Sequence, residues 1–310
     1  MSIISQIAQT LNKPEQVIEE ILFIAPMRYK IYYIPKRTHG FRQIAQPSKE
    51  LKECQRAFLR FYNLPTHNCA MAYREGLSIK ENAIAHKTQA YLLKLDLENF
   101  FNSITPNIFW HTWQLTGAEL PTKDNQQWIE KLLFWNLEDK LVLSVGAPSS
   151  PSVSNFCMLI FDQILQDQCQ NLGIKYTRYA DDLTFSTNEK DILFQIPESV
   201  ENILSKCFNG NLRLNKGKTI FSSKAHNRHV TGITITNSGK ISLGRSKKRY
   251  IRHKIHQFSL DLLNNQEIMH LKGLMAYARH IEPSFYESLI KKYSKEIIER
   301  IFEVPNEQRS

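Results

Sequence analysis

No stretch of this 310-residue chain stays apolar for the roughly 18 residues that a membrane-spanning helix requires. Its opening residues Met1-Ser2-Ile3-Ile4-Ser5-Gln6 lack the basic-then-apolar order of an export signal. No membrane association and a cytoplasmic setting are therefore expected. Cysteine is scarce: Cys54, Cys69, Cys157, Cys169 and Cys207 are odd in number, scattered and free of any Cys-x-x-Cys spacing. That excludes a disulfide framework and argues against structural zinc. His226 with His229 and His253 with His256 stand without cysteines or acids in ligand spacing, and read as surface or nucleic-acid-facing residues. Internal repeats and low-complexity linkers are also missing. What is present is a globular composition, 42% hydrophobic and 23% charged, in a chain longer than the about 250–300 residues at which single cores stop growing. More than one domain is expected.

The charge is lopsided. A formal net charge of +10 favours a polyanionic partner, because phosphate neutralisation releases counterions. The densest basic block runs from Arg245 to Lys254, with six Lys or Arg and no acid. If Tyr250, Ile251 and Ile255 dock one side of a helix there, Lys247, Lys248, Arg249 and Arg252 point outward toward a nucleic-acid backbone. A solvated face is the competing reading.

Two adjacent carboxylates carry the chemistry. Tyr176-Thr177-Arg178-Tyr179-Ala180-Asp181-Asp182-Leu183-Thr184-Phe185 has the period-2 pattern of paired strands, with Ala180-Asp181 at the reversal. An isolated Asp-Asp pair is usually just a turn. A third acid, Asp96, sits in the apolar run Tyr91-Leu92-Leu93-Lys94-Leu95-Asp96-Leu97, which reads as a buried strand over Tyr91–Leu97. Three carboxylates converging from adjacent strands would hold divalent cations. All-oxygen ligation of this kind suits Mg²⁺, and two ions about 4 Å apart suit in-line phosphoryl transfer.

The remaining elements can be read coarsely. A helix start is expected at Asn12 and Pro14, with Val17, Ile18, Ile21 and Leu22 as its stripe. A hairpin follows, Tyr29–Pro35 and Phe41–Pro47 with a turn through Gly40. Helices are expected over Leu51–Tyr62, Pro106–Leu115, Asp124–Phe134, a long stretch after Pro151, and Pro197–Phe208. Strands are expected around Leu212–Leu214, Val230–Ile235 and Lys240–Leu243, and only helix beyond Gly244.

Tyr179-Ala180-Asp181-Asp182 with Asp96-Leu97-Glu98-Asn99-Phe100-Phe101 resembles motifs C and A of reverse transcriptases. Gly146-Ala147-Pro148-Ser149-Ser150-Pro151 with Asn155 is similar to motif B, and Leu212-Arg213-Leu214-Asn215-Lys216-Gly217-Lys218-Thr219 to motif D. Phe41-Arg42-Gln43-Ile44-Ala45-Gln46-Pro47 with Leu51-Lys52 and Gln55-Arg56 resembles the fingers segment. Asn82-Ala83-Ile84-Ala85-His86 and Val230-Thr231-Gly232 look like two elements of retron reverse transcriptases, although a buried histidine and a strand bulge are the plain alternatives. Two departures stand out: Val145 occupies the place of a usual Gln, and Ala72-Tyr73 that of Gly-Phe.

The resemblance implies an α+β right-hand polymerase, with fingers and palm (an antiparallel sheet with flanking helices) in residues 1–240 and a helical thumb in 241–310. It implies metal ligation by Asp96, Asp181 and Asp182, with two Mg²⁺ ions, and a general acid at Lys218, with Lys216 too near to exclude. Arg42, Phe101 and Gly146 would meet the deoxynucleotide triphosphate, Phe101 as a gate against the 2′-OH. Asn82, His86, Val230, Thr231 and Gly232 would join the basic block in nucleic-acid binding. The expected activity is RNA-directed DNA synthesis on a dedicated structured noncoding RNA, primed by a guanosine 2′-OH. It would yield branched RNA-linked DNA, in anti-phage defence with separately encoded effectors. No RNase H block follows residue 240. A group II intron or diversity-generating enzyme, or a nucleic-acid scaffold controlling an effector, are the alternatives.

Overall fold

The computed structural model describes residues 2–36 and 40–305, so residues 37–39 of the expected turn lie outside the described residues. Two compact units form, one from residues 1–78 and 91–221, the other from 79–90 and 222–310. Residue 240, the expected end of the fingers and palm, lies inside the second unit. Among the described residues no helix is long and apolar enough to cross a membrane.

In the first unit, α1 (Ile3–Leu11) buries Ile3, Ile4, Ile7 and Ala8. Asn12 closes α1 rather than starting a helix: it is a left-handed C-cap whose N–H reaches back to Ala8 and Gln9. Next come α2 (Glu15–Phe23), the paired strands β1 (Tyr29–Pro35) and β2 (Phe41–Pro47), and α3 (Lys49–Phe61), capped by the Ser48 hydroxyl. α4 (Ile79–His86) belongs to the second unit. The chain returns through β3 (Tyr91–Asp96), α5 (Pro106–Leu115), α6 (Lys123–Leu133) and the short hairpin β4 (Trp135–Leu137) and β5 (Lys140–Val142). The stretch after Pro151 is two helices, α7 (Ser150–Cys157) and α8 (Leu159–Asn171), broken at Met158, whose ψ of −2° leaves the helical range.

The acid-bearing hairpin is β6 (Lys175–Tyr179) and β7 (Asp182–Thr187), followed by α9 (Ile196–Phe208) and β8 (Ile220–Ser223). These strands make a sheet in the order β6-β7-β3-β8. Leu212–Leu214 contributes only an isolated bridge from Leu214 to Leu97 instead of a strand. Register pairs Leu93 with Phe185 and Leu95 with Leu183, all buried at 1% exposure or less. Alternation therefore puts these residues, with Tyr176 and Arg178, on one face, and Asp96 and Asp182 on the other.

Under the first face lies a buried ion pair. Arg178 and Asp162 are both fully buried, and the guanidinium donates to the carboxylate from Nη2 at 2.6 Å and from Nε at 2.9 and 3.0 Å. Tyr176 donates its hydroxyl to the same carboxylate, and Arg178 Nη1 donates to Asn155 Oδ1 and to the carbonyl of Ala180 in the turn.

The second unit continues with β9 (Arg228–Val230), β10 (Ile233–Ile235) and β11 (Ile241–Ser242), in the order β11-β10-β9. Helices α10 (Arg245–Ser259), α11 (Asn265–Ile281), α12 (Pro283–Tyr293) and α13 (Lys295–Glu303) complete it. The expected strand 230–235 is really a hairpin. Val230 faces Ile233, and Thr231 and Gly232 between them have φ of +45° and +79°, the signature of a type I′ turn.

Removing one member of a buried pair strands a charge away from water, which costs about 3–5 kcal/mol. Asp162→Ala is expected to destabilise the chain by about that much in urea unfolding. The double variant Asp162→Leu, Arg178→Met, which removes both charges, should recover most of the loss.

Candidate active site

Asp96 ends β3 opposite Asp182, the first residue of β7, and Asp181 sits in the two-residue reversal beside them. Ala180 holds that reversal with φ of +57°, a strained value for a residue with a Cβ. The backbone ties the three acids together: Leu97 N–H donates to the Asp181 carbonyl at 3.0 Å, and Asn215 N–H to the Asp96 carbonyl at 2.8 Å.

The carboxylates repel each other. Partial desolvation, then the charges of Asp181 and Asp96, push Asp182 up to about 6. Desolvation first, with Asp96 adding to it, also raises Asp181. Lys218 answers part of this charge, donating to both oxygens of Asp96 at 2.8 and 2.9 Å. Lys216 instead pairs with Glu201 at 3.0 Å, so of these two lysines it is Lys218 that pairs with an acid of the group.

The acid group fits a divalent cation in donor chemistry and in its excess of negative charge, for which the Lys218 ammonium stands in at Asp96. The fit is incomplete in this state. Among the described residues no three acidic, His or Cys side chains stand together in ligating positions.

A cleft of about 390 Å³ is lined in part by Lys52, Arg56, Tyr73, Phe101, Gly146 and Ser150. The charge of Asp181 acts on Tyr73, and that of Arg42 acts on both Tyr73 and Asp181. Phe100 is buried in the core and Phe101 lines the cleft, separated by a 3₁₀ turn over 101–103 rather than by strand alternation. The Tyr73 and Phe101 rings stand 6.4 Å apart. Asn155 fixes this wall by donating to the Ala72 carbonyl at 3.0 Å.

Gly146 makes its close backbone approach to Ala45. Its φ is +135°, and a Cβ there would lie 2.9 Å from the Ala45 carbonyl oxygen. Ser144 Oγ donates to that same carbonyl, and Ala45 N–H donates to the carbonyl of Val145, so the loop is fastened to β2.

Sequence reasoning quoted Lys52, Arg56, Tyr73 and Ser150 without singling them out as site residues. Lys52 and Arg56 were findable, since an i, i+4 pair of cations shares one helix face. Ser150 was not: its buried hydroxyl, which has no partner, is a fact of packing.

In the second unit, Asn82, His86 and Val230 are all 0% exposed, inside the packing of that unit. Thr231 and Gly232 build the hairpin turn. On α10, Ile251, Ile255 and Phe258 are buried but Tyr250 is exposed, contrary to the docking face expected. The basic block is also less free than its composition suggests. Lys248 pairs with Glu282 at 2.5 Å, Lys254 pairs with Glu267 at 2.8 Å, and Lys247 lies over the Tyr277 ring. Arg249 and Arg252 remain exposed.

Residues 34–235 match the family described as reverse transcriptase (RNA-dependent DNA polymerase). The chain is thus an RNA-directed DNA polymerase with the α+β fold of that class, whose members use divalent metal ions. It is 44% identical over 302 residues to the retron Ec83 reverse transcriptase of Escherichia coli, covering 95% of this chain and 96% of that protein. The retron Ec73 reverse transcriptase of the same organism is 31% identical, with 88% and 89% covered, and the retron Mx65 enzyme of Myxococcus xanthus 30% identical, with 85% and 64% covered. The chain belongs to the retron reverse transcriptases.

Gly146→Ala combines a left-handed φ with a backbone clash that no side-chain rotation relieves. It is expected to destabilise the first unit by about 1–3 kcal/mol, measured by urea unfolding.

Proposed function

We propose that this chain copies part of one dedicated structured noncoding RNA into DNA, starting from the 2′-OH of a guanosine in that RNA and leaving branched RNA-linked single-stranded DNA. The single observation that carries the catalytic part is the register of Asp96 against Asp182, with Asp181 in the adjoining turn. When bound, two Mg²⁺ ions on Asp96 and Asp181, with Asp182 alongside, supply a more acidic attacking hydroxyl and neutralise the leaving oxygens. The chain's own groups do the rest. Lys52, Arg56 and Arg42 offer positive charge to the triphosphate of a deoxynucleotide. Lys218 carries a proton that the departing pyrophosphate can take once the lysine leaves Asp96. Phe101 and Tyr73 form the aromatic wall against which the sugar would sit, Phe101 closing the space of a 2′-OH.

In this reading the first unit holds fingers and palm, and α10 to α13 are the thumb. The exposed Arg249 and Arg252, with Lys247 and Lys248 behind them, present charge to the RNA and its RNA–DNA product. The enzyme acts in the cytoplasm, in defence against phage, together with separately encoded effector proteins. The family context of retron relatives supports these assignments.

Asp181→Asn removes a ligand without changing shape. The wild-type chain is expected to co-purify with branched RNA–DNA, and Asp181→Asn with RNA alone, at RNA affinity within about twofold of wild type. DNA synthesis near wild type in the variant would overturn the site. Wild type carrying only RNA would favour a scaffold that restrains an effector.

Phe101→Val is expected to raise the kcat/KM for ribonucleotides relative to deoxynucleotides by about 10-fold or more, because the ratio reports differential transition-state binding. An unchanged ratio at wild-type activity would remove Phe101 from the gate.

A further inference from the structure

Within the second unit a cleft of about 430 Å³ opens among α4, α11, α12 and α13, with walls from Lys80, Ala276, Arg279, His280, Pro283 and Phe302. None of these residues is acidic. The volume is in the lower part of the range for small-ligand sites, too small for a duplex and large enough for one nucleotide. Arg279 is exposed and its guanidinium lies 5.9 Å from the Tyr286 ring. A guanidinium stacked in this way is preorganised to aim its donors at a phosphate. Phe302 is 42% exposed although its neighbours on α13, Ile298 and Ile301, are buried. An aromatic face left open beside cations is the arrangement that stacks an unpaired base.

α4, which carries Lys80, is fastened at both ends. Thr231 Oγ1 donates to the Ile79 carbonyl at 3.3 Å, next to Lys80. Arg228, itself 1% exposed, donates from Nη1 to the carbonyl of Gln89 just beyond the helix, and from Nη2 to the Thr236 carbonyl at 2.8 Å. The helix's own Asn82, Ala83 and His86 are buried.

We propose that this cleft is a site for one unpaired nucleotide of the RNA, with Lys80 and Arg279 taking the phosphate and Phe302 the base. The Asn82–His86 and Val230–Gly232 segments then act as positioning elements that set Lys80 at its rim. A nucleotide accounts for what an anion alone does not, the open aromatic wall, and the net charge of +10 favours a polyanion over a neutral peptide. The proposal rests on the reading of the chain as an RNA-using polymerase and adds to it a contact away from chemistry.

The test uses a short single-stranded RNA carrying one 5-iodouridine, with the full chain already saturated by an RNA–DNA duplex. Irradiation is expected to attach the RNA to Phe302. Phe302→Ala and Arg279→Gln should each weaken binding of this RNA about 10-fold, the factor expected from losing one stacked base or one phosphate contact. Thr231→Val should weaken it less. Extension of a DNA primer on poly(A) should stay at the wild-type rate in Phe302→Ala and Arg279→Gln. No cross-link at Phe302, together with unchanged affinity in Phe302→Ala, overturns the proposal. So does an effect of Arg279→Gln alone, with inorganic tripolyphosphate competing as well as RNA, which would make the cleft a simple anion site. Primer extension is read separately, so a wild-type chain that makes no DNA defeats the polymerase reading while cross-linking still decides the cleft.

Discussion

The buried pair of Arg178 and Asp162 is the constraint on which the first unit depends. Two charges at 0% exposure are tolerated only because nearly every donor and acceptor around them is used. The guanidinium meets Asp162, Asn155 and the Ala180 carbonyl, while Asp162 also takes the Tyr176 hydroxyl. Each bond fixes something the site needs. The bond to Ala180 braces a strained turn, and Asn155 in turn holds the Ala72 carbonyl beside Tyr73. The backbone of Arg178 adds two more bonds, to Cys69 and Met71 on the same segment. One side chain thus links α7, α8, the acid hairpin and an aromatic wall of the neighbouring cleft.

The opposite face of the same sheet carries the opposite problem. There the acids are partly desolvated and crowd one another, and burial first, then their mutual charge, raises Asp181 and Asp182 where the other face has a closed network. Lys218 pairs directly with Asp96, and its charge only partly offsets the shifts at Asp181 and Asp182. A structural ion pair and an undercompensated acid cluster, separated by the thickness of one β-sheet, divide the work: one holds the backbone still and the other keeps an appetite for cations.

Much of this was legible in the sequence because the acid hairpin and β3 alternate cleanly and their apolar positions face a core. The reversal at Ala180-Asp181 came from that pattern alone, as did the strand carrying Asp96, expected over Tyr91–Leu97 and ending one residue earlier. The β4–β5 hairpin escaped because strands of three residues hold too little of a period. α4 escaped because the side chains it buries are Asn82, Ala83 and His86, which make no apolar stripe. On α10 the pattern was right for Ile251 and Ile255 and wrong for Tyr250. Nothing in a run of cations reveals that Glu282 and Glu267, more than ten residues downstream, will neutralise two of them. The choice of Lys218 over Lys216 was likewise a matter of distance in space, since both lie in one short turn.

The chain enters the second unit twice, and this orders its assembly. α4 is made early, yet the groups that hold it come late: the Ile79 and Thr231 partners are 152 residues apart, and Gln89 and Arg228 are 139 apart. During synthesis at about 5–20 residues per second, α4 therefore waits roughly ten seconds or longer for its partners. It must pass that interval as a polar, short helix with little stability of its own. Closing so long a loop becomes cheap only if the intervening first unit has already folded and brought the ends of the segment near each other. The nascent chain is thereby committed to a sequence of events, acid-bearing sheet first and helical unit second.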